Sequence, residues 1–257
     1  MTGIEKIATR HAGEPAPSGR FVLVRPRHVM THDNTGAVIP KFREIFKAAG
    51  RPPAMADPRQ PVFAIDHDIQ NTSPENLGKY AKIEAFAGEH GVDFYPAGTG
   101  ISHQVMVEQG YVTPGAMVVG SDSHSNLYGA LACLGTPVVR TDAASLWATG
   151  TTWWQVPPVA RVVLRGRLAP GVVGKDVIVA LCGVFNRDQV LNHAVEFAGE
   201  GVATLPVDQR MSIANMSTEW GCLAALFPFD EALRAYLLGR AAYFAAGKRP
   251  GVRREGS

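Results

Sequence analysis

The chain has 257 residues, 46% hydrophobic and 19% charged, and its 25 basic against 23 acidic residues leave a formal charge of +2. This composition excludes a disordered chain, a collagen-like repeat and a coiled coil, and the near-neutral balance gives no electrostatic reason to propose nucleic acid as a partner. Three cysteines exclude a disulfide scaffold and suggest a reducing compartment, and no run reaches the roughly 18 apolar residues needed to span a bilayer.

From the N-terminus, Met1 to Arg10 carries Glu5, Lys6 and Arg10 among small apolar residues. It lacks the apolar core of a secretory signal and the Arg-rich, acid-free pattern of an organellar presequence, so residues 1–19 read as an N-terminal extension. Phe21 to Val24 reads as a strand, and His28 to Gly36 (HVMTHDNTG) as polar and turn-forming. Pro61 to Ile65 is a second strand that runs straight into Asp66-His67-Asp68. A helix follows, with Thr72 or Ser73 as its cap, Pro74 in its first turn, Leu77, Tyr80, Ile83 and Ala87 at helical spacing, and Gly91 as its stop. Val92 to Tyr95 is a third strand, followed by a loop with Gly98, Gly100 and His103 and a short helix around Gln104 to Gln109. Ala116 to Val119 is a fourth strand, ending in Gly120-Ser121-Asp122-Ser123-His124, and Asn126 to Leu134 reads as a helix rich in small residues. Thr151 to Pro158, with Trp153, Trp154 and two prolines, looks like a boundary. Beyond it, Val159 to Leu164 reads as a strand, Gly174 to Phe185 as a helix, and Pro206 to Leu226 as containing another. The alternation predicts an α/β protein with a mainly parallel sheet covered on both faces. It divides into two α/β units, residues 20–156 and an incomplete 157–240, before a disordered tail, 241–257.

Three polar clusters stand at comparable places: Asp66-His67, His103-Gln104 and Asp122-Ser123-His124 each lie just after a predicted strand. The carboxyl ends of strands rim the ligand crevice of an open α/β sheet, so neighbouring strands would bring three imidazoles and two carboxylates together. A carboxylate beside an imidazole fixes its tautomer, raises its basicity and prepares a general acid or a metal ligand. Any one of these histidines is more often a loop residue bonded to a turn; three clusters at equivalent strand ends favour a site. Asn215 and Glu219 are four apart on a predicted helix and share a face, and among Met211, Ile213, Met216, Trp220 and Leu223 the Glu219 carboxylate is expected to be partly buried and paired. Cys133, Cys182 and Cys222 are widely spaced in apolar helical contexts without a CxxC pair, and read as buried structural thiols. His193 reads as a core or strand-end histidine, and Trp153 and Trp154 as packing at a domain junction. Gly171 to Lys175 (GVVGK) lacks the spacing and the following Ser or Thr of a phosphate loop.

Long motifs in order carry a resemblance: MTHDNTG (Met30 to Gly36), DPRQ (Asp57 to Gln60), DHDIQN (Asp66 to Asn71), KIEAFAGEHGVDFYPAG (Lys82 to Gly98), SHQ (Ser102 to Gln104), SDSHSN (Ser121 to Asn126), CLGTPVVRTDAA (Cys133 to Ala144), GKDVIVALCG (Gly174 to Gly183) and NMSTEWG (Asn215 to Gly221). From about Arg20 to about Leu238 the sequence resembles the aconitase superfamily, most closely its fungal-type homoaconitases. The resemblance implies a three-layer α/β/α fold and a hydro-lyase with a four-iron four-sulfur (4Fe-4S) cluster, in which one iron without a cysteine ligand acts as a Lewis acid on a small tricarboxylic acid. The reaction implied is interconversion of cis-homoaconitate and homoisocitrate in the α-aminoadipate route to lysine, and the compartment implied is the mitochondrion. By position, Asp66 and His67 match the family's acid pair, His103 and Asp122 a second pair, and His124 and Glu219 a third near the cluster. Ser123 matches a substrate-binding serine and Asn215 an asparagine near the cluster, while His32 and Asp33 fall where the family places an early substrate-side polar residue.

The departures matter. In the family, the three cluster cysteines, the substrate-binding arginines and the swivelling domain with the catalytic serine base lie beyond the end of this sequence. None of Cys133, Cys182 and Cys222 matches a cluster ligand, and Thr99 and Ser102 differ from the Arg and Gly usual beside the active-site histidine. The chain is therefore expected to carry half of an active site with no metal ligand of its own, to be inactive alone, and to need either its missing domains or a partner chain that supplies them. The alternatives are the same chemistry on citrate or isopropylmalate, a mononuclear metal hydrolase built from His67, His103 and His124 with Asp122 as a further ligand, and a non-catalytic remnant.

Overall fold

Two short apolar runs, Pro61–Ala64 and Met117–Gly120, are buried along their whole length, as strands of a parallel sheet covered on both faces must be. The computed structural model describes residues 1–246. The order is α1 (Gly3–Ala12), β1 (Phe21–Val24), β2 (His28–Thr31), α2 (Thr35–Ala48), β3 (Pro61–Ala64), α3 (Pro74–His90), β4 (Asp93–Tyr95), α4 (Ser102–Glu108), β5 (Met117–Gly120), a 3₁₀ helix (Ser123–Leu131), β6 (Leu134–Pro137), α5 (Arg140–Thr149) and β7 (Thr152–Gln155). The chain continues with β8 (Val159–Val163), α6 (Gly174–Val184), β9 (Ala194–Ala198), a short 3₁₀ helix (Glu200–Thr204), α7 (Val207–Met216), β10 (Ala224–Leu226) and α8 (Glu231–Ala245).

Five strands form a parallel sheet in the order β4-β3-β2-β5-β6, with Met30 paired to both Val62 and Gly120. Side chains alternate across this sheet. Val29, Phe63, Met117 and Val119 join Phe42, Phe86 and Trp147 in one core cluster, whereas Met30, Val62, Ala64 and Val118 join Tyr128, Met106 and Ile213 in the other. Helices thus cover both faces, giving the three-layer α/β/α arrangement expected. On the first face Phe63 lies 4.9 Å from Trp147 and Phe42 lies 5.9 Å from Phe86, centroid to centroid; each such pair adds about 0.5–1.5 kcal/mol beyond its buried area.

A second parallel sheet, β10-β9-β8, lies beyond the 3₁₀ helix Ser123–Leu131. The two meet closely: a Cβ on Gly129 would stand 1.7 Å from the Ala225 carbonyl oxygen, and the Phe227 N–H donates to the Gly129 carbonyl at 2.9 Å. Only glycine allows that backbone approach. Asn126, fully buried, donates from Nδ2 to Ser217 Oγ and the Cys222 carbonyl, both at 3.0 Å. The buried Arg210 guanidinium binds both oxygens of Asp230 at 2.9 and 2.6 Å and the Val202 and Leu205 carbonyls, which ties α7 to the start of α8.

Several sequence expectations change. His28 to Gly36 is not a turn throughout: Val29, Met30 and Thr31 are buried and form β2, the centre of the five-stranded sheet. The helix expected over Asn126 to Leu134 is a 3₁₀ helix that ends at Ala132, whose φ of 54° breaks it before β6. Thr151 to Pro158 is not a bare junction, because β7 pairs antiparallel with β1, Trp154 opposite Val22. Residues 1–19 include α1, whose Ile4, Ile7 and Ala8 are buried. The tail expected to be disordered begins too early: α8 is helical through Ala245, while residues 247–257 lie outside the described residues. Cys133 and Cys222 sit outside helices, Cys133 just before β6 and Cys222 just before β10; both are buried, whereas Cys182 on α6 is half-buried.

Candidate active site

Strand order places the polar clusters together. Because β2 lies between β3 and β5, the residues that follow these strands share one sheet edge: His32 and Asp33 after β2, Asp66 and His67 after β3, Asp122 to His124 after β5. Helix α4, entered from the loop after β4, supplies His103.

Asp122 is the hub. Its Oδ1 lies 2.7 Å from His103 Nε2 and accepts the His124 backbone N–H at 2.8 Å, capping the 3₁₀ helix. Its Oδ2 faces His67 Nε2 at 3.4 Å and His32 Nε2 at 3.8 Å. Burial alone would raise this carboxyl, but the bonds from His103 and the His124 N–H, with the charges of His103 and His32, hold it well below the usual carboxylate range. The other nitrogen of His103 meets the Tyr128 hydroxyl at 3.0 Å, and burial keeps that phenol protonated.

Asp66 and His67 form a close pair, Oδ1 to Nδ1 at 2.5 Å, and Asp66 Oδ2 accepts the Ser102 backbone N–H at 2.6 Å. Burial would lower the His67 imidazole, but the Asp66 bond and the charges of Asp66, Asp122 and Asp33 raise it. His32 stacks on His67, centroids 3.9 Å apart at 21°. Its imidazole is lowered, by burial and by the His67 charge, against the pull of Asp122 and Asp66. The two stacked rings are thus pushed in opposite directions, His67 toward its protonated form and His32 toward its neutral form. Contact of His32 Nε2 with the Ser121 carbonyl at 3.1 Å assigns the remaining proton to Nε2, which suits a buried Nδ1 without a hydrogen-bond partner. Titration of the imidazole C–H resonances is expected to place His67 above and His32 below the ordinary histidine value, and Asp66→Asn to bring His67 down. Equal midpoints for the two rings would contradict this division.

Asp33 anchors the loop after β3. Its Oδ2 accepts the N–H groups of Asp66 and His67 at 2.9 and 2.8 Å, its Oδ1 that of Asp68 at 3.1 Å, and the Tyr80 hydroxyl donates to Oδ1 as well. Burial opposes ionisation, but these donors bring its carboxyl down to about 2.

On the far side, His124 Nε2 lies 3.2 Å from Glu219 Oε1, and its Nδ1 3.3 Å from Ser123 Oγ. Glu219 is paired as expected but not buried: its side chain is 61% exposed, in a turn beyond the end of α7. Asn215, on α7, does not join the Asp122 contacts and instead lines a groove with Gln104, Lys175 and Ser212. Three contributors were not singled out from sequence: Tyr80, Tyr128, and Asn34, whose Nδ2 donates to the Ser121 carbonyl at 2.6 Å. Both tyrosines sit in stretches whose pattern reads as helix packing, so nothing local marks their hydroxyls.

The sequence model of the aconitase family (aconitate hydratase) matches residues 5–249. The chain belongs to the aconitase family. Among its relatives, the mitochondrial homoaconitase of Yarrowia lipolytica is 60% identical over 237 residues, 90% of this chain and 34% of the relative. Those of Cryptococcus neoformans and Aspergillus niger are 57% and 55% identical over 93% and 96% of this chain, and 33% and 32% of their own lengths. The chain spans about a third of the length of the curated relatives it matches. The family match is wider than the motif-bearing stretch from Arg20 to Leu238 and takes in most of α1 and all of α8.

The aconitase family generally binds a 4Fe-4S cluster, and the cysteines of this chain do not fit one. They come from three separate elements, and none belongs to a side-chain group among the described residues that could hold a metal. Burial pushes the Cys222 thiol up to about 12 and Cys133 higher still, whereas a ligand must be a thiolate. The set His67, His103 and His124 is not among the side-chain groups of the described residues whose donor atoms converge for a metal. Both ring nitrogens of His103 are engaged, by Asp122 and Tyr128. The group whose donor atoms do converge, within 4.8 Å, is His32, Asp33, Asp66 and His67. There both carboxylates already accept hydrogen bonds at each oxygen.

Proposed function

We propose that this chain forms the substrate-side wall of a homoaconitase-type hydro-lyase site, acting on homoisocitrate and cis-homoaconitate. The observation that carries the reading is the meeting of Asp66–His67, His103 and His124 on the single carboxylate of Asp122. Loss of a hydroxyl as water needs a proton donor. His67 suits that role: the Asp66 carboxylate favours its protonated form, and its side chain is 50% exposed. Asp66, itself fixed by the Ser102 N–H, orients the ring and takes up its charge. In the hydration direction His67 receives the proton back. Ser123, exposed at the mouth, is placed to donate to a substrate carboxylate, and His124–Glu219 to close the side facing α7. His32 and Asp33 act beneath His67, the first as a neutral stacking partner and the second as the anchor of its loop. No step is assigned to the cluster, and the base that takes the carbon-bound proton is assigned to no residue of this chain.

The proposal takes residues 20–156 and 157–240 as two α/β units sharing this site, completed by further domains in the same or a partner chain. It extends the relatives' mitochondrial compartment and the route to lysine to this protein. Among the described residues no helix is long and apolar enough to cross a membrane.

Grafting this chain in place of the corresponding third of the Yarrowia relative tests the reading. The graft is expected to dehydrate homoisocitrate in preference to isocitrate and 3-isopropylmalate. In it, His67→Gln is expected to lower kcat by about 10²–10⁴-fold, the usual worth of a general acid, with the visible absorption of the cluster unchanged. A graft that folds and keeps that absorption yet processes none of the three acids would overturn the proposal.

A further inference from the structure

A cleft of about 730 Å³ opens beside Asp122 and Ser123, and its walls include Lys41 on α2 and Arg140 at the start of α5. A second cleft of about 540 Å³ shares His32, Asn34 and Arg140 with the first and adds Lys79. Arg140 therefore borders both, next to the imidazole array. Among the described residues, neither the Arg140 guanidinium nor the Lys41 ammonium has an ion pair. Lys79 lies 5.4 Å from the Tyr80 ring centroid. Besides Asp122, the acid lining the first cleft is Asp142, whose carboxyl is raised by burial, partly offset by the Val139 N–H.

The charge balance gives these cations a purpose. The array itself holds Asp33, Asp66 and Asp122 close together, a field that repels a multiply charged carboxylic acid. A substrate with three carboxylates needs positive charge within reach; among the described residues, Arg140, Lys41 and Lys79 border these clefts without an ion pair, and Lys79 lies over the Tyr80 ring. A guanidinium matches a carboxylate with two parallel N–H groups, which an ammonium cannot do.

We infer that Arg140, assisted by Lys41, receives the substrate carboxylate farthest from the hydroxyl-bearing carbon, so that this cleft reads the length of the substrate arm. The inference rests on the hydro-lyase reading above and adds to it a specificity residue on this chain.

Titrations of the graft described above, followed through the imidazole resonances of His67 and His124, test it with two probes. One is homoisocitrate; the other is 3-propylmalate, in which a methyl replaces the distal carboxylate. Arg140→Gln is expected to weaken homoisocitrate binding by about 10-fold or more, as loss of a charge-assisted bond implies, and 3-propylmalate by less than about 2-fold. Arg140→Lys should retain part of the difference, and Lys47→Gln, an equal loss of charge elsewhere on α2, should leave both probes unaffected. If both probes move the imidazoles but Arg140→Gln weakens them equally or not at all, the inference fails and the hydro-lyase reading stands. If neither probe moves any imidazole of the unsubstituted graft, both fail together.

Discussion

Asp122→Ala is expected to cost about 3–5 kcal/mol of folding stability, the range for breaking a buried charge pair by removing one partner. The Asp122 side chain is 11% exposed and meets four histidines. Alanine leaves His103 Nε2 without an acceptor in a buried place and removes the cap that satisfies the His124 N–H. An unmade buried bond costs about 1–3 kcal/mol and a lost cap about 1 kcal/mol, so the two together reach this range before any charge effect. Asp122→Asn keeps an acceptor for the cap and is expected to lose roughly half as much. The pH dependence gives an independent check. The carboxyl is depressed in the folded state, so its contribution is fully present above the unfolded value of about 4 and declines as pH falls below it. Urea unfolding of wild type and Asp122→Asn at neutral pH and near pH 3 should therefore show a gap that narrows in acid. A cost for Asp122→Ala below about 1 kcal/mol would remove Asp122 from the centre of the site. The same substitution should lower the His67 midpoint, because Asp122 is one of the charges that raise it.

The sequence made some of this site visible and hid the rest, for physical reasons. Asp66-His67 and Asp122-His124 stand out because buried apolar runs, Pro61–Ala64 and Met117–Gly120, lead almost directly into them. Helix α3 is legible from its punctuation: Ser73 caps it, Pro74 opens it, and Gly91 closes it at a φ of 68°. Strand β2 is not, because its buried residues are set between His28 and the polar HDNTG, and only pairing with β3 and β5 makes it a strand. That missing strand mattered most: without the order β3-β2-β5 the sequence cannot show that His32 and Asp33 stand between the other clusters. Asp122 as a common partner is equally invisible, since its contacts come from two other loops and from helix α4. Glu219 illustrates a different failure. Helical spacing carried α7 past its end, whereas Ser217 turns its hydroxyl back to the Ala214 carbonyl and receives Asn126, stopping the helix at Met216.

Asp33→Ala is expected to be the most damaging change to the site that touches none of the His67–Asp66 pair itself. Three N–H groups, of Asp66, His67 and Asp68, and the Tyr80 hydroxyl converge on this one carboxylate. Bonds to a charged acceptor are worth about 1.5–3 kcal/mol each. His67 and Asp68 are exposed, so water replaces part of the loss, and a net cost of about 2–4 kcal/mol follows. The linkage argument gives a similar size. A carboxyl at about 2 in the folded chain against about 3.9 unfolded stabilises the fold by on the order of 2 kcal/mol at neutral pH, and that contribution is lost as pH falls from about 4 through about 2. Asn at this position keeps one acceptor but turns an amide N–H₂ toward donors, so Asp33→Asn should fall between wild type and Asp33→Ala. The damage should also be local. Amide exchange at Asp66, His67 and Asp68 is expected to rise by more than the global loss of stability explains, because the loop is released before the sheet opens. His67 would then lose its fixed distance to Asp66 and Asp122, and its imidazole midpoint should drop. If exchange at these three amides rises no faster than in the sheet, Asp33 stabilises the fold as a whole and does not set the geometry of His67.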